Sequence, residues 1–175
     1  MSDGWLQILG PATRFILQGN PAARAAAGEA FGVSLPETAC RANTALNRVA
    51  LWLGPDERLL LAPAAGTQVL LADLEAALSG IAHSLVEVSQ RQIAVQLNGP
   101  DASALLSSGC PLDLDPSEFP VGMCTRTLLG KAEVVLWRRG AEEYHLEVGR
   151  SFSNYVLGWL REAAKGNEHA KHSVR

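Results

Sequence analysis

Features that mark several familiar protein classes are missing from this sequence. Its 175 residues include only three cysteines, an odd and widely spaced set: Cys40, Cys110 and Cys124. Lys and Arg total 15 against 18 Asp and Glu, so there is no basic stripe of the kind that binds nucleic acid. The longest apolar runs, such as Leu59–Pro63, are far shorter than the roughly 20 residues of a membrane-spanning helix. We therefore expect reduced thiols and neither nucleic acid nor a membrane as a partner.

Signals for export and for common catalytic chemistry are missing as well. The opening "MSDGWLQILGPATRF" has no cationic segment followed by a long apolar run, so we predict no secretory signal and a cytoplasmic location. The sequence has no GxGxxG, P-loop or GxSxG motif. The cysteines have no closely spaced Cys or His neighbours, so a metal site is not expected. From the residues alone we predict no catalytic residue in this chain.

The residues that are present suit a folded core, since 47% of them are hydrophobic. Strand and helix patterns follow one another in the order β-α-β-β-α-β and then β-α-β-β-β-α. The first series has the ferredoxin-like order. Leu51–Leu61 and Leu136–Leu146 each contain Leu-Trp, a turn with glycine and an apolar strand, which favours related lobes. We predict an α+β fold of two closely packed ferredoxin-like lobes, with mostly antiparallel sheets and helices on one face.

The division between the lobes is predicted near the polar junction that follows the fourth strand. The first lobe is expected to span residues 13–90 and the second residues 91–165. Residues 1–12 carry no clear pattern, and the residues after Gly166 are mostly polar. We therefore predict flexible ends at residues 1–12 and 166–175.

Cap residues predict where the main helices begin and end. Asn20 is expected to cap the first helix and Gly32 to end it. Thr67 is predicted to cap the second helix, and Gly80 to end it. The apolar face of this second helix is expected to comprise Val69, Leu70, Leu74 and Leu78. Ser151 is predicted to cap the last helix.

A few residues are candidates for function, each with a structural alternative. Glu87 and Arg91 are weak candidates for ligand binding at a strand junction, although a tight turn with exposed charges explains them equally well. Cys110 and Cys124 are expected to be small buried apolar residues rather than nucleophiles. Three carboxylates separated by prolines are expected in a solvated connector rather than a cation site: Asp113, Asp115 and Glu118.

Several long stretches resemble a known family. They include "ALWLGPDERLLLAP", "VSQRQIAVQLNGPDASALLSSGCPLDLDPSEFPVGMCTRTLLGKAEVVLWR" and "VGRSFSNYVLGWL". The sequence is similar to the gamma subunit of bacterial heterotetrameric sarcosine oxidase from about Arg14 to Ala164. The most specific parts are Gly109–Leu114, Phe119–Thr127 and Arg150–Phe152.

The resemblance implies a fold related to the folate-binding part of glycine-cleavage aminomethyltransferase. It implies an assembly that oxidatively demethylates sarcosine to glycine and makes hydrogen peroxide. The one-carbon unit becomes methylenetetrahydrofolate when tetrahydrofolate is present, and formaldehyde otherwise. The resemblance places FAD, FMN and NAD in the alpha and beta subunits and the folate site in alpha. This chain would then be an accessory, non-catalytic subunit with alpha, beta and delta partners.

Two positions depart from the pattern of the family, and two other interpretations stay open. Gln90 stands where the family has His, and Ser153 where it has Ala. Arg126 is our candidate for a partner contact, because a planar guanidinium suits fixed ion pairs. One alternative is a stand-alone folate-binding or one-carbon-transfer protein with Glu87 facing the pterin. The other is a thiol enzyme, in which His83 or His145 would have to activate a cysteine.

Overall fold

The structure is a computed structural model that describes the backbone of residues 4–173 and the side chains of residues 4–167. Ten strands, four α-helices and one short 3₁₀ turn (Arg150–Phe152) make up this part of the chain. The strands are β1 Leu6–Ile8, β2 Ala12–Gly19, β3 Ala42–Ala45, β4 Arg48–Trp52, β5 Glu57–Pro63, β6 His83–Glu87, β7 Gln92–Asn98, β8 Cys124–Leu129, β9 Ala132–Gly140 and β10 Glu143–Gly149. The helices are α1 Pro21–Phe31, α2 Thr67–Ala77, α3 Ala102–Ser107 and α4 Ser153–Ser173.

The chain divides into two compact units that are not continuous in sequence. One unit, called here the N-unit, comprises Gly10–Arg91 and the short segment Gly122–Thr125. The other, the C-unit, comprises the residues up to Leu9, Gln92–Val121 and the chain from Arg126 onward. The N-unit thus includes a four-residue segment that the sequence placed in the second lobe.

The N-unit contains an antiparallel sheet in the order β3-β4-β5-β2-β6. Without β3, this is the strand order of a ferredoxin-like plait, and β3 is an added edge strand. Helices α1 and α2 share one apolar core with the strands, which includes Phe15, Leu60 and Leu74. The predicted α+β class with mostly antiparallel sheets is confirmed.

The start and end of α1 follow from two residues. Asn20 accepts a hydrogen bond from the backbone N–H of Ala23 at 2.9 Å through its side-chain oxygen, and Pro21 occupies the first helical position. Gly32 adopts a left-handed conformation (φ 73°) that ends the helix, with its N–H directed at the carbonyl of Glu29. Both predictions for this helix are confirmed.

The predictions for α2 are partly wrong. Gly66 occupies the cap position, and Thr67 is the first helical residue, whose hydroxyl donates to the carbonyl of Ala64. The helix ends at Ala77, before Gly80. Val69 is 67% exposed, so the buried face of the helix is narrower than the apolar pattern indicated. The residues of that pattern that are buried are Leu70, Leu74 and Leu78.

The C-unit contains a sheet in the order β1-β7-β10-β9-β8. Its strands β9 and β10 are buried on both faces, and one face of β10 carries the polar side chains of His145 and Glu147. The Tyr144 hydroxyl shares a hydrogen bond of 2.7 Å with that of Ser103, which connects β10 to α3. The indole ring of Trp159, on α4, lies against the backbone at Gly109.

Parts of the two ends that were predicted to be flexible form regular secondary structure. Residues 6–8 form β1, which pairs with β7 from Leu6↔Leu97 to Ile8↔Val95. Helix α4 continues past Gly166 to Ser173. The 3₁₀ turn precedes α4, so Ser151 is not its cap. Residues 1–3 and 174–175 of the predicted ends lie outside the described residues. Within residues 4–173, no helix is long and apolar enough to span a membrane.

Candidate functional site

Glu87 and Arg91 lie at either end of a tight turn between β6 and β7. The N–H of Arg91 donates to the carbonyl of Val88 at 2.9 Å, and the N–H of Val88 donates to the carbonyl of Arg14 at 2.8 Å. The Ser89 hydroxyl accepts from the N–H of Arg14 at 3.0 Å. Glu87 and Arg91 are both exposed. The local geometry is therefore that of a hydrogen-bonded turn, which was the structural alternative for these residues.

Among the described residues, each unit has a concave surface that lies elsewhere. The C-unit has a cavity of about 340 Å³ whose lining includes Trp5, Asp101 and Ala164. The N-unit has a groove of about 470 Å³ along α1, whose lining includes Arg24 and Glu37. Neither surface includes Glu87 or Arg91, so neither is the folate pocket envisaged from the sequence.

Two of the three cysteines are core residues. Cys110 and Cys124 are buried, and Cys40 is partly exposed. The Cys124 thiol lies 3.6 Å from the carbonyl of Trp52, and burial raises the pKa of this thiol from 9.0 to about 12. The Cys110 sulfur lies 3.6 Å from the hydroxyl of Thr127. A nucleophilic thiol requires a lowered pKa, so the structure does not favour Cys124 as the nucleophile of a thiol enzyme.

The two histidines that a thiol enzyme would use have other partners. His83 Nδ1 lies 2.7 Å from the carbonyl of Ile81. His145 Nε2 lies 2.8 Å from a carboxylate oxygen of Glu147, and both side chains are buried on β10. The Trp137 ring is next to this pair, 5.8 Å from the imidazole between centroids. The structure therefore gives His145 a carboxylate partner, which the sequence analysis missed although the two residues share one face of a strand.

The carboxylates of the proline-rich connector stabilise its turns. A side-chain oxygen of Asp113 accepts from the N–H of Asp115 at 2.9 Å. An oxygen of Asp115 accepts from the backbone N–H of Ser117 at 2.9 Å and from its hydroxyl at 2.7 Å. These hydrogen bonds lower the pKa of Asp115. Within the part of the chain that the structure describes, no group of three or more Asp, Glu, His and Cys side chains could hold a metal ion.

A buried arginine fixes the β4–β5 hairpin. Arg58 is 1% exposed, and its guanidinium donates to the carbonyls of Pro36 at 2.7 Å and of Gly54 at 2.6 Å. It also lies over the Trp52 ring, 5.9 Å from the centroid. Desolvation lowers the pKa of Arg58, with a smaller contribution from the positive charge of Arg24. The sequence offered one signal for this burial, since Arg58 alternates in step with Leu60.

A second buried arginine fixes the connector of the C-unit. Arg138, on β9, donates to the carbonyls of Phe119 at 2.8 Å and of Ala141 at 2.7 Å. The carbonyl of Leu114 is 3.4 Å away, and the Tyr144 ring centroid is 5.3 Å from the guanidinium carbon. Arg138 thus holds both ends of the segment from Leu114 to Phe119 against the sheet. Both arginines bind backbone carbonyls, which is a structural rather than a catalytic use.

The β3–β4 hairpin has an uncommon backbone at both ends of β3. Cys40 (φ 57°) and Leu46 (φ 53°) have the left-handed backbone that glycine favours, and among residues 4–173 no other non-glycine residue has it. The foot of the hairpin is held by the segment Gly122–Thr125. The N–H of Ala42 donates to the carbonyl of Gly122 at 2.9 Å, and the N–H of Cys124 donates to the carbonyl of Cys40 at 3.0 Å.

Two side chains brace the same hairpin against the residues at and after the end of α1. Arg48 donates to the carbonyl of Phe31 at 2.7 Å and lies over its ring, 5.6 Å from the centroid. The Asn43 amide donates to the carbonyl of Ser34 at 2.7 Å. Each strand of the hairpin therefore has its own contact with the body of the N-unit.

The comparison with protein families decides which family the chain is in. The model of the family described as "Sarcosine oxidase, gamma subunit family" matches residues 18–166. The chain belongs to this family. The sarcosine oxidase subunit gamma of Corynebacterium sp. (strain P-1) is 35% identical over 140 residues, 79% of this chain and 68% of that protein. The corresponding subunit of Arthrobacter sp. is 34% identical over 143 residues, 81% of this chain and 70% of that protein.

Solved structures agree with the sarcosine oxidase gamma subunit family. A chain of the heterotetrameric sarcosine oxidase from Corynebacterium sp. U-96, in complex with pyrrole 2-carboxylate, superposes with a TM-score of 0.86 and 32% identity. This match covers 92% of the present chain and 83% of the other. Aminomethyltransferase T from Bartonella henselae matches with a TM-score of 0.65 and 16% identity over 89% of this chain and 44% of its own. The second match concerns the fold alone and confirms the predicted relation to the aminomethyltransferase fold.

Proposed function

We propose that this chain is the gamma subunit of a heterotetrameric sarcosine oxidase and contributes structure rather than chemistry to that assembly. The observation that carries the proposal is the superposition on a chain of a heterotetrameric sarcosine oxidase, with a TM-score of 0.86 over 92% of this chain. A match of this extent leaves little of the fold outside the shared architecture.

The assembled enzyme would oxidise the N-methyl group of sarcosine and release glycine and hydrogen peroxide. Tetrahydrofolate would accept the one-carbon unit as methylenetetrahydrofolate, and without it formaldehyde would be released. The flavins FAD and FMN, with NAD and the folate, would be held by the other subunits, of alpha, beta and delta type. We expect the assembly in the cytoplasm.

The placement of the polar side chains supports a structural role. The guanidinium groups of Arg58 and Arg138 donate to backbone carbonyls, and the Cys124 thiol is buried with a raised pKa. Carboxylates of the connector accept hydrogen bonds from neighbouring N–H groups. Arg126 is exposed on β8 and remains our candidate for an ion pair with a partner subunit.

Co-purification tests the proposal directly. A tagged chain, co-expressed with the genes of the other three subunits from its source, should be recovered in a yellow complex that produces peroxide when sarcosine is added. Omission of this chain should reduce the yield or stability of that complex. Recovery of the tagged chain alone, with full activity in the remaining subunits, would contradict the proposal.

A stand-alone folate-binding protein is not favoured by the structure. The carboxylate proposed to face the pterin, Glu87, is exposed on the edge strand β6 and lines neither concave surface. Ligand sites of this type are concave and bury most of the ligand. Titration of the purified chain with tetrahydrofolate should therefore give no saturable binding at micromolar concentrations.

A further inference from the structure

Leu46 occupies the tip of the β3–β4 hairpin with its side chain in solvent. Ala45 pairs with Arg48, so the loop has only two residues, Leu46 and Asn47. The relative accessible area of Leu46 is 106%, the largest among the exposed large apolar residues that the structure describes. Exposure of a single leucine is common on protein surfaces and would decide little by itself.

The backbone of Leu46 makes its exposure informative. Its φ of 53° is unfavourable for a leucine, whereas glycine or asparagine would adopt it readily at this loop position. The folded chain therefore retains a residue that is unfavourable in conformation and gains no burial in return. Backbone strain of this kind concentrates at functional positions, where another interaction offsets it.

The hairpin also presents this side chain on a rigid support. Arg48, one residue beyond the loop, donates to the carbonyl of Phe31 and covers its ring, and Asn43 binds the carbonyl of Ser34. Pairing between Cys40–Ala42 and Gly122–Cys124 holds the other end of the hairpin. The segment Gly122–Cys124 belongs to one of the stretches that are most specific to the family resemblance. A hairpin whose backbone is already held in place loses little conformational entropy on binding, which favours its use as a docking element.

We propose that Leu46 is an anchor that inserts into an apolar pocket on another subunit of the heterotetramer. The hairpin tip is the docking element, and its partner is a subunit surface with a recess that excludes water around one aliphatic side chain. This inference rests on the proposed function, because it requires the assembled complex. Beyond that function, it specifies which surface of this chain contacts a partner subunit and which residue makes the contact.

A competition experiment tests the anchor. Wild-type and variant chains with different tags are co-expressed with a limiting amount of the other subunits, and the ratio of the two chains in the purified complex is measured by mass spectrometry. Leu46→Gly removes the side chain and relieves the backbone. We expect its share of the complex to fall about tenfold or more relative to wild type, the effect of losing one buried leucine side chain.

Two matched variants make the result specific. Leu46→Met keeps an apolar side chain of similar volume, so it should compete within about threefold of wild type. Val69→Ser removes another exposed apolar side chain, 67% exposed on α2, and should compete equally with wild type. Thermal unfolding of the variant chains should show that Leu46→Gly is at least as stable as wild type, because the left-handed backbone suits glycine.

The possible failures are distinguishable. If the wild-type chain enters no complex, the proposed function fails and the anchor fails with it. If the wild-type chain assembles and Leu46→Gly competes equally, only the anchor is overturned. A Leu46→Met chain that competes as poorly as Leu46→Gly, or a loss for Val69→Ser, would overturn the apolar pocket. A Leu46→Gly chain that unfolds more easily than wild type would overturn the argument from strain.

Discussion

Arg24 binds both carboxylate oxygens of Glu37, with Nε and Nη2 each 2.9 Å from an oxygen. The guanidinium is buried and also donates to the carbonyl of Gly19 at 2.8 Å, whereas the carboxylate is 61% exposed. The hydrogen bond from Arg24 lowers the pKa of Glu37 and raises that of Arg24 itself. This pair connects α1 to the segment that follows it, in the wall of the N-unit groove.

Glu37→Gln is expected to destabilise the chain by about 1 kcal/mol at pH 7, since the mostly exposed carboxylate is screened by solvent. The pKa of Glu37 is lowered from 4.5 in the folded state, so its contribution is fully present above pH 4.5. This contribution to stability is lost as the pH falls through the lowered pKa that Glu37 has in the folded state. Urea unfolding at pH 7 and in acid should therefore show a difference between wild type and variant that disappears at low pH. Glu29→Gln, a change at an exposed position of α1, should have little effect at either pH.

Arg138→Met is expected to destabilise the chain by roughly 2–4 kcal/mol, because it removes a buried guanidinium and leaves two backbone carbonyls without their donor. Those carbonyls belong to Phe119 and Ala141. The neighbouring Arg139 is partly exposed and pairs with Glu143 at 3.1 Å, so Arg139→Met serves as the control. Urea titration should show that Arg139→Met lowers the free energy of unfolding by less than about 1 kcal/mol. Equal effects of the two substitutions would contradict the anchoring role of Arg138.

Gly109→Ala and Gly158→Ala should change stability in opposite directions. A Cβ at Gly109 would lie 2.3 Å from a ring carbon of Trp159, so the indole would have to move, at a cost of about 1–3 kcal/mol. Gly158 is an exposed position in α4 with no atom near an added Cβ, and alanine there should stabilise by about 0.5–1 kcal/mol. In thermal unfolding, Gly109→Ala should lower the melting temperature and Gly158→Ala should raise it. A neutral Gly109→Ala would show that the indole is free to repack.

Cys124 should be the least reactive thiol when the folded chain meets a disulfide reagent at pH 8. Its side chain is fully buried, and its pKa is raised from 9.0 to about 12. Cys40 is partly exposed and should react first, so Cys40→Ser should remove the fast phase. The neutral thiol of Cys124 stabilises the fold below pH 9, and this contribution is lost as the pH rises from 9 towards 12. Fast labelling of Cys124 in the folded chain would contradict its placement.

Local patterns gave a good account of the elements whose boundaries depend on neighbouring residues. Asn20 and Gly32 define α1 through caps that involve residues a few positions away, and the β4–β5 and β9–β10 hairpins follow from glycine-containing turns. The added strand β3 was not predicted. Its sequence, Ala-Asn-Thr-Ala, has little strand preference, and its conformation depends on pairing with β4 and with Gly122.

The candidate site was harder to predict, because its properties depend on the backbone and on distant partners. Leu46 lies in a stretch without a clear periodic pattern, and a leucine is ordinarily assigned to a core. A left-handed backbone at a leucine has no sequence signature. The burial of Arg58 and Arg138 was not predicted either, since arginines are usually exposed. Their alternation with Leu60 and Leu136 nevertheless placed them on apolar faces. Glu87 and Arg91 were nominated for their charge and form a turn.

The assignment of Gly122–Thr125 to the N-unit has a consequence for how the protein is made. The ribosome delivers the whole of Gly10–Arg91 before it delivers the residues that pair with Cys40 and Ala42. The nascent N-unit can form its central strands early, but the foot of the β3–β4 hairpin stays without this support until Thr125 has been synthesised and released from the exit tunnel. A fragment that stops at Arg91 would permanently lack the backbone pairing that Gly122–Thr125 gives to Cys40 and Ala42. Division of the chain between Arg91 and Gln92 would therefore yield an incomplete N-unit.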